Sequence, residues 1–151
     1  MAITTNAICN SFKKELLEGA HKFQYTSGSS FKLALYDSQA TLGASTTNYA
    51  VAEEVANTGS YSAGGGALVK PNPSVSMASA TAIVDFDNLS FTSVSLTARG
   101  ALIYNTTTSG GSGTTDSVCV LDFGADKTAT SGTFTVQFPA FTTSAAILRI
   151  A

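Results

Sequence analysis

Val94-Ser95-Leu96-Thr97-Ala98-Arg99-Gly100-Ala101-Leu102-Ile103-Tyr104 is the stretch on which the fold turns. Val94, Leu96, Ala98, Gly100, Leu102 and Tyr104 recur at every second position, and Ser95, Thr97, Arg99 and Asn105 alternate with them. A period of two places successive side chains on opposite faces, which is the signature of a half-buried β-strand. Working outward, the same alternation marks residues 31–36, where Phe31, Leu33 and Leu35 carry the apolar side. Further strands are expected at residues 81–87, 89–92, 118–123, 133–138 and 145–150. Val118-Cys119-Val120-Leu121 is apolar at every position, as in a central strand covered on both faces.

Only one segment has a helical period. Placed at 100° steps, residues 4–23 gather Ile8, Cys9, Phe12, Leu16, Gly19, Ala20 and Phe23 into one arc. Lys13, Lys14, Glu18, His21 and Lys22 fall opposite, with Leu17 on the polar side. Thr4, Thr5 and Asn6 are candidate N-caps, and Thr26-Ser27-Gly28-Ser29-Ser30 is a loop signal. No second amphipathic helix follows, so a parallel sheet built from βαβ units is disfavoured. The expected fold class is mainly β: an antiparallel β-sandwich or Greek-key or meander sheet with one N-terminal amphipathic α-helix. A single structural domain is expected over 1–151, with the helix at about 4–23 and the β domain at about 30–151.

Composition narrows the function. Charged residues are 12% of the 151, about half the usual share, while 19 Ser and 21 Thr supply a neutral polar surface. The formal net charge of −2 gives no basic footprint for nucleic acid or an anionic membrane surface. A hydrophobic fraction of 44% opposes disorder. No secretory signal and no run of about 18 apolar residues is present, so synthesis in the cytoplasm is expected. Cys9 and Cys119 have no metal-ligand spacing and read as two buried free thiols, with a disulfide left open.

Catalytic patterns are weak. His21 is the only histidine, and its place on the polar arc reads as a solvated surface residue. Ser11-Phe12-Lys13-Lys14 matches Ser-x-x-Lys without the companion motifs that would activate the serine. Ser109-Gly110-Gly111-Ser112-Gly113 lacks the Gly-Lys-Ser/Thr ending of a phosphate loop, and Asp122-Phe123-Gly124 reads as a strand ending in a turn. Asp85 and Asp87 alternate with apolar residues and read as charges on a solvated edge strand. Phe134, Phe138 and Phe141 read as core or interface. No catalytic, cofactor-binding or metal-binding residue is assigned, and the chain is expected not to be an enzyme.

Several strings in order resemble a known class. They are Glu54-Val55, Thr58-Gly59-Ser60-Tyr61-Ser62-Ala63-Gly64-Gly65, Val84-Asp85-Phe86, Leu96-Thr97-Ala98-Arg99-Gly100-Ala101-Leu102-Ile103-Tyr104-Asn105 and Val120-Leu121-Asp122-Phe123-Gly124. Together with Cys9-Asn10-Ser11-Phe12-Lys13 and Glu15-Leu16-Leu17-Glu18-Gly19 near the start, they resemble small virion structural proteins of tailed bacteriophages. The resemblance implies a capsid cement or decoration protein on the capsid surface, with the major capsid protein as partner. It also implies a homo-oligomer, trimers being favoured and dimers the alternative. A tail or baseplate component with receptor-binding loops is the second reading, and a small carbohydrate-active hydrolase using Asp85 and Asp87 the third. Candidate partner contacts are Phe12, Leu16, Leu17 and Arg99.

Overall fold

The alternation around Leu96 is realised as one long strand. In the structure, a computed structural model that describes residues 3–107 and 114–151, β6 (Leu89–Asn105) pairs antiparallel with β7 (Asp116–Val136). The remaining elements are β1 (Ala7–Ile8), α1 (Asn10–Leu17), β2 (Phe31–Tyr36), β3 (Gly66–Ala67), β4 (Val75–Ala78), β5 (Thr81–Val84) and β8 (Leu148–Ile150). The first sheet has the order β1-β7-β6-β2-β3 and the second β4-β5-β8. Every pairing is antiparallel. The protein is therefore mainly β with one short helix near the N-terminus.

Two expected breaks in the long strands are bulges instead. Ser93, which separates the expected strands 89–92 and 94–104, has φ +55° where the register shifts between Phe91 and Val94. An extra residue in one strand leaves pairing intact on either side. Gly124 has φ +77°, and Asp122 Oδ1 accepts its N–H at 2.8 Å, yet β7 runs on through it. Asp122-Phe123-Gly124 is thus a kink within a strand, and the Thr-rich stretch beyond it pairs with β6 as Leu96↔Ala129 and Thr97↔Thr128. The turn reading failed because residues 124–128 are exposed at every position, so this part of the strand has no apolar alternation and only its pairing with β6 marks it. The glycine-rich run 109–113 lies outside the described residues.

The helix is shorter than the period suggests. Ala7 and Ile8 join the sheet edge opposite Val120 and Cys119, so the helix begins only at Asn10. It stops at Leu17 because Gly19, at φ +76°, reverses the chain, and Ala20 N–H returns to Glu15 O at 2.9 Å. A Cβ on Gly19 would meet nothing within 4 Å, so this glycine serves the reversal and not a close backbone approach.

The core lies between the first sheet and the segments that cross it. Phe23 stacks on Phe31 of β2 at 4.7 Å, both rings meet Phe86 just after β5, and Phe86 meets Phe138. The expected core role of Phe134 holds, and Phe138 packs half-buried against the core. Leu148 of β8 belongs to the same core, which ties the second sheet to the first.

Residues 47–65 contain no strand and are pinned by tyrosines. Glu54 accepts the hydroxyls of Tyr49 at 2.5 Å and Tyr61 at 2.8 Å, and the N–H of Gly64 at 2.7 Å. Tyr36 donates to Ala50 O and Tyr104 to Gly64 O, both at 2.6 Å. Gly65 takes φ +73°, and a Cβ there would land on the carbonyl of Leu33 in β2. Gly65→Ala is expected to lose about 2 kcal/mol or more from left-handed strain and this clash, read as a Tm lower by several degrees.

Burial, followed by the Glu54 charge, pushes the Tyr104 hydroxyl up to about 12, and burial also raises Tyr36, Tyr49 and Tyr61. Raised native values mean that the unfolded chain releases these protons first. Stability is then complete below about pH 10 and falls as the pH rises towards 12. Spectrophotometric titration should show these four of the five tyrosines ionising together with the loss of circular dichroism, not ahead of it.

Candidate functional site

Two polar or apolar constellations stand out, and they divide the work between holding the fold and presenting a surface. The first is a buried chain of three side chains under α1. His21 Nε2 lies 2.8 Å from Glu15 Oε2, and its Nδ1 lies 3.1 Å from Asn105 Nδ2. Asn105 is oriented by the backbone, since its Nδ2 donates to Ala20 O at 3.1 Å and its Oδ1 accepts from Thr107 N at 2.8 Å. Nδ2 therefore faces the ring, Nδ1 must accept, and Nε2–H donates to Glu15.

This corrects the reading of His21 as a solvated residue. The imidazole is fully buried, because the chain reversal at Gly19 takes it off the helical wheel and turns it inward over Asn105 of β6. Glu15, which the helical wheel did not single out, is its buried partner. The chain Glu15–His21–Asn105 has the order of a catalytic relay, but it ends on the backbone groups of Ala20 and Thr107. Its chemistry is to satisfy the reversal after α1 and fasten it to the first sheet.

The second constellation is an apolar groove of about 480 Å³ between α1 and the second sheet. Cross-strand register explains its floor. Partners in an antiparallel ladder share a face, so Val75, Val84 and Leu148 form one row and Met77, Ala82 and Ile150 the next. All six are apolar, and five of them line the groove. The helix adds Phe12, Leu16 and Leu17 as the facing wall, with Phe23 and Ile8 at the ends. Leu17 is 91% exposed and Ile150 60% exposed, so the chain leaves this face open. Lys13 and Arg149 are the charged residues of the lining.

Three of the four expected contact residues converge here. Phe12 is a core residue, 4% exposed, at the base of the helical wall. Leu16 is half-buried in the wall and Leu17 stands free. Arg99 lies elsewhere, with Nη2 3.2 Å from Asp122 Oδ1 and Nε donating to Ile3 O at 3.3 Å. It fastens the N-terminal segment across β6 and β7. The contributions of Val75, Ala82, Val84, Leu148, Arg149 and Ile150 were not foreseen, because short strands distant in sequence become one face only through register.

Asp85 and Asp87 follow β5, which is the middle strand of the second sheet, so they do not lie on a solvated edge strand. Asp85 Oδ1 accepts from Phe86 N at 2.9 Å, and burial, reinforced by Asp87, raises its carboxyl above the usual range. Cys9 and Cys119 are both buried and free, and burial raises both thiols, which keeps them protonated and weakly reactive. Among the described residues no group of three His, Cys, Asp or Glu is placed to hold a metal ion, and no helix is long and apolar enough to cross a membrane. Protein-family models, curated proteins and solved structures yield no match to this chain.

The division of roles is measurable. Asn105→Ala orphans His21 Nδ1, Ala20 O and Thr107 N and is expected to cost about 2–4 kcal/mol. Leu17→Ala, at an exposed position, should stay within about 0.5 kcal/mol of the parent. Urea unfolding of the two variants checks the contrast.

Proposed function

We propose that this chain is a non-enzymatic assembly protein, a phage virion structural component of the cement or decoration kind, whose partner is the major capsid protein. The carrying observation is the open apolar groove beside α1 on a chain whose surface is otherwise largely neutral. A face built from Val75, Val84, Ile150, Leu16 and Leu17 gains free energy when another protein covers it. The Ser- and Thr-rich composition of the chain supplies further hydrogen bonds outside the groove that salt screens little. The sequence strings that resemble small phage virion proteins supply the setting.

The polar groups that most resemble catalytic machinery support the same reading. Glu15, His21 and Asn105 are engaged with one another and with backbone groups in the core. Glu54 is engaged by two tyrosines and Gly64. Rigid scaffolding of this kind suits repeated contacts on a shell, where many weak interfaces add through avidity.

Imaging of particles that carry this chain tests the proposal. Repeated density of this fold on the outside of the head is expected, while density confined to the tail would move the chain to the tail or baseplate reading. Leu17→Asp should lower its occupancy on particles by about tenfold or more without changing its Tm, as for a contact worth at least about 1.4 kcal/mol. Deleting residues 1–23 would be a poor substitute, since Ile3, Cys9, Phe12, His21 and Phe23 belong to the buried interior.

A further inference from the structure

We infer that the groove beside α1 is filled by residues 50–53 of a second copy of this chain, so that copies join head to tail. The inference rests on the reading of the groove as an assembly surface and gives the groove to a second copy, so that the shell is held by the assembled copies and not by the groove itself. Charge at the rim of the groove selects the occupant. Lys13 and Arg149 line the groove, and neither has an ion-pair partner among the described residues. Lys13 Nζ reaches Asn10 Oδ1 at 3.4 Å, and Arg149 donates to Thr143 O at 3.0 Å. An occupant should therefore pair a short apolar side chain with a carboxylate.

The chain carries such a segment. Outside the groove and the adjoining Met77, the exposed large apolar residues among the described residues are Tyr25, Val51 and Val69. Tyr25 has exposed Lys22 three residues before it and so brings positive charge towards Lys13 and Arg149, while Val69 lies between Lys70 and Asp87, whose N–H it accepts at 2.9 Å, and brings no net charge. Val51 is 66% exposed and is followed two residues later by exposed Glu53. It is the member of the three with matching charge.

The segment is also held ready. Glu53 adopts φ +61°, its carbonyl accepts Asp37 N–H at 3.1 Å, and Glu54 beside it is gripped by Tyr49, Tyr61 and Gly64. Tyr36 holds Ala50 O from below. Little conformational freedom is left to lose on docking. Residues 50–53 and the groove lining share no residue. The contact is thus heterologous, and copies close into a ring wherever the rotation between them permits.

Mass measurement in solution by light scattering or ultracentrifugation, on the full chain, tests this. The parent protein should form species above the monomer mass. Val51→Asp and Leu17→Asp should each remain monomeric where the parent assembles, with circular dichroism unchanged. Mixed together they should stop at a heterodimer, because the pair retains one intact groove and one intact loop. Glu53→Lys should weaken assembly by about tenfold or more, and adding Arg149→Glu to it should recover part of the loss. A parent chain that stays monomeric, or assembly untouched by both Val51→Asp and Glu53→Lys, overturns the inference. A monomer that still decorates heads would overturn the self-contact alone, whereas a self-assembling chain absent from particles would overturn the virion reading alone.

Discussion

The antiparallel pairing of β6 with β7 is the constraint on which the rest of the structure depends. β2 hydrogen-bonds to β6, β1 to β7, and β3 to β2, so the first sheet is laid out from this ladder. A slip of one residue would turn Val94, Leu96 and Ala98 outward and bring Ser95 and Thr97 inward, which makes the register strongly specified. The outer face explains the composition. Ser90 meets Thr135 and Thr97 meets Thr128, each with hydroxyl oxygens 2.8 Å apart, and Ser95 Oγ accepts Ser131 N–H at 2.9 Å. Hydroxyl pairs across strands satisfy a solvated face without charge, which is how a sheet this long persists on so few ionic residues.

Attachment of the second sheet follows from the aromatic core. Phe31 projects from β2, Phe23 stacks on it after the reversal at Gly19, and Phe86 reaches both from the end of β5. The buried Glu15–His21–Asn105 chain holds that reversal in place. The helix is therefore fastened by its C-terminal turn, and its Leu16 and Leu17 side is left facing β4, β5 and β8 across a gap. The open groove is a consequence of how the polar chain positions α1, not of helix amphipathicity alone.

Legibility in the sequence followed the range of the interaction. β2 was readable at its ends because Phe31–Tyr36 carries its own alternation. Leu17 was readable as exposed because i, i+3 and i+4 neighbours define a helix face. The continuation of β7 through Gly124 was not readable, since a polar strand and a loop have similar composition and only pairing with β6 distinguishes them. His21 was misplaced because a helical wheel assumes that the helix continues, and one residue at φ +76° ended it.

Local chemistry in the sequence determined the fold class, the presence of one helix, the neutral surface and the exposure of Leu17. Each rests on periodicity or composition over a few residues, which physical chemistry reads without knowledge of distant partners. Tertiary structure decided the rest. Val75, Val84 and Leu148 share a face only through ladder register, and Glu15, His21 and Asn105 meet only where the reversal after α1 crosses β6. The groove and the buried polar chain both join residues more than 60 positions apart, and such encounters are set by the packing of the whole chain.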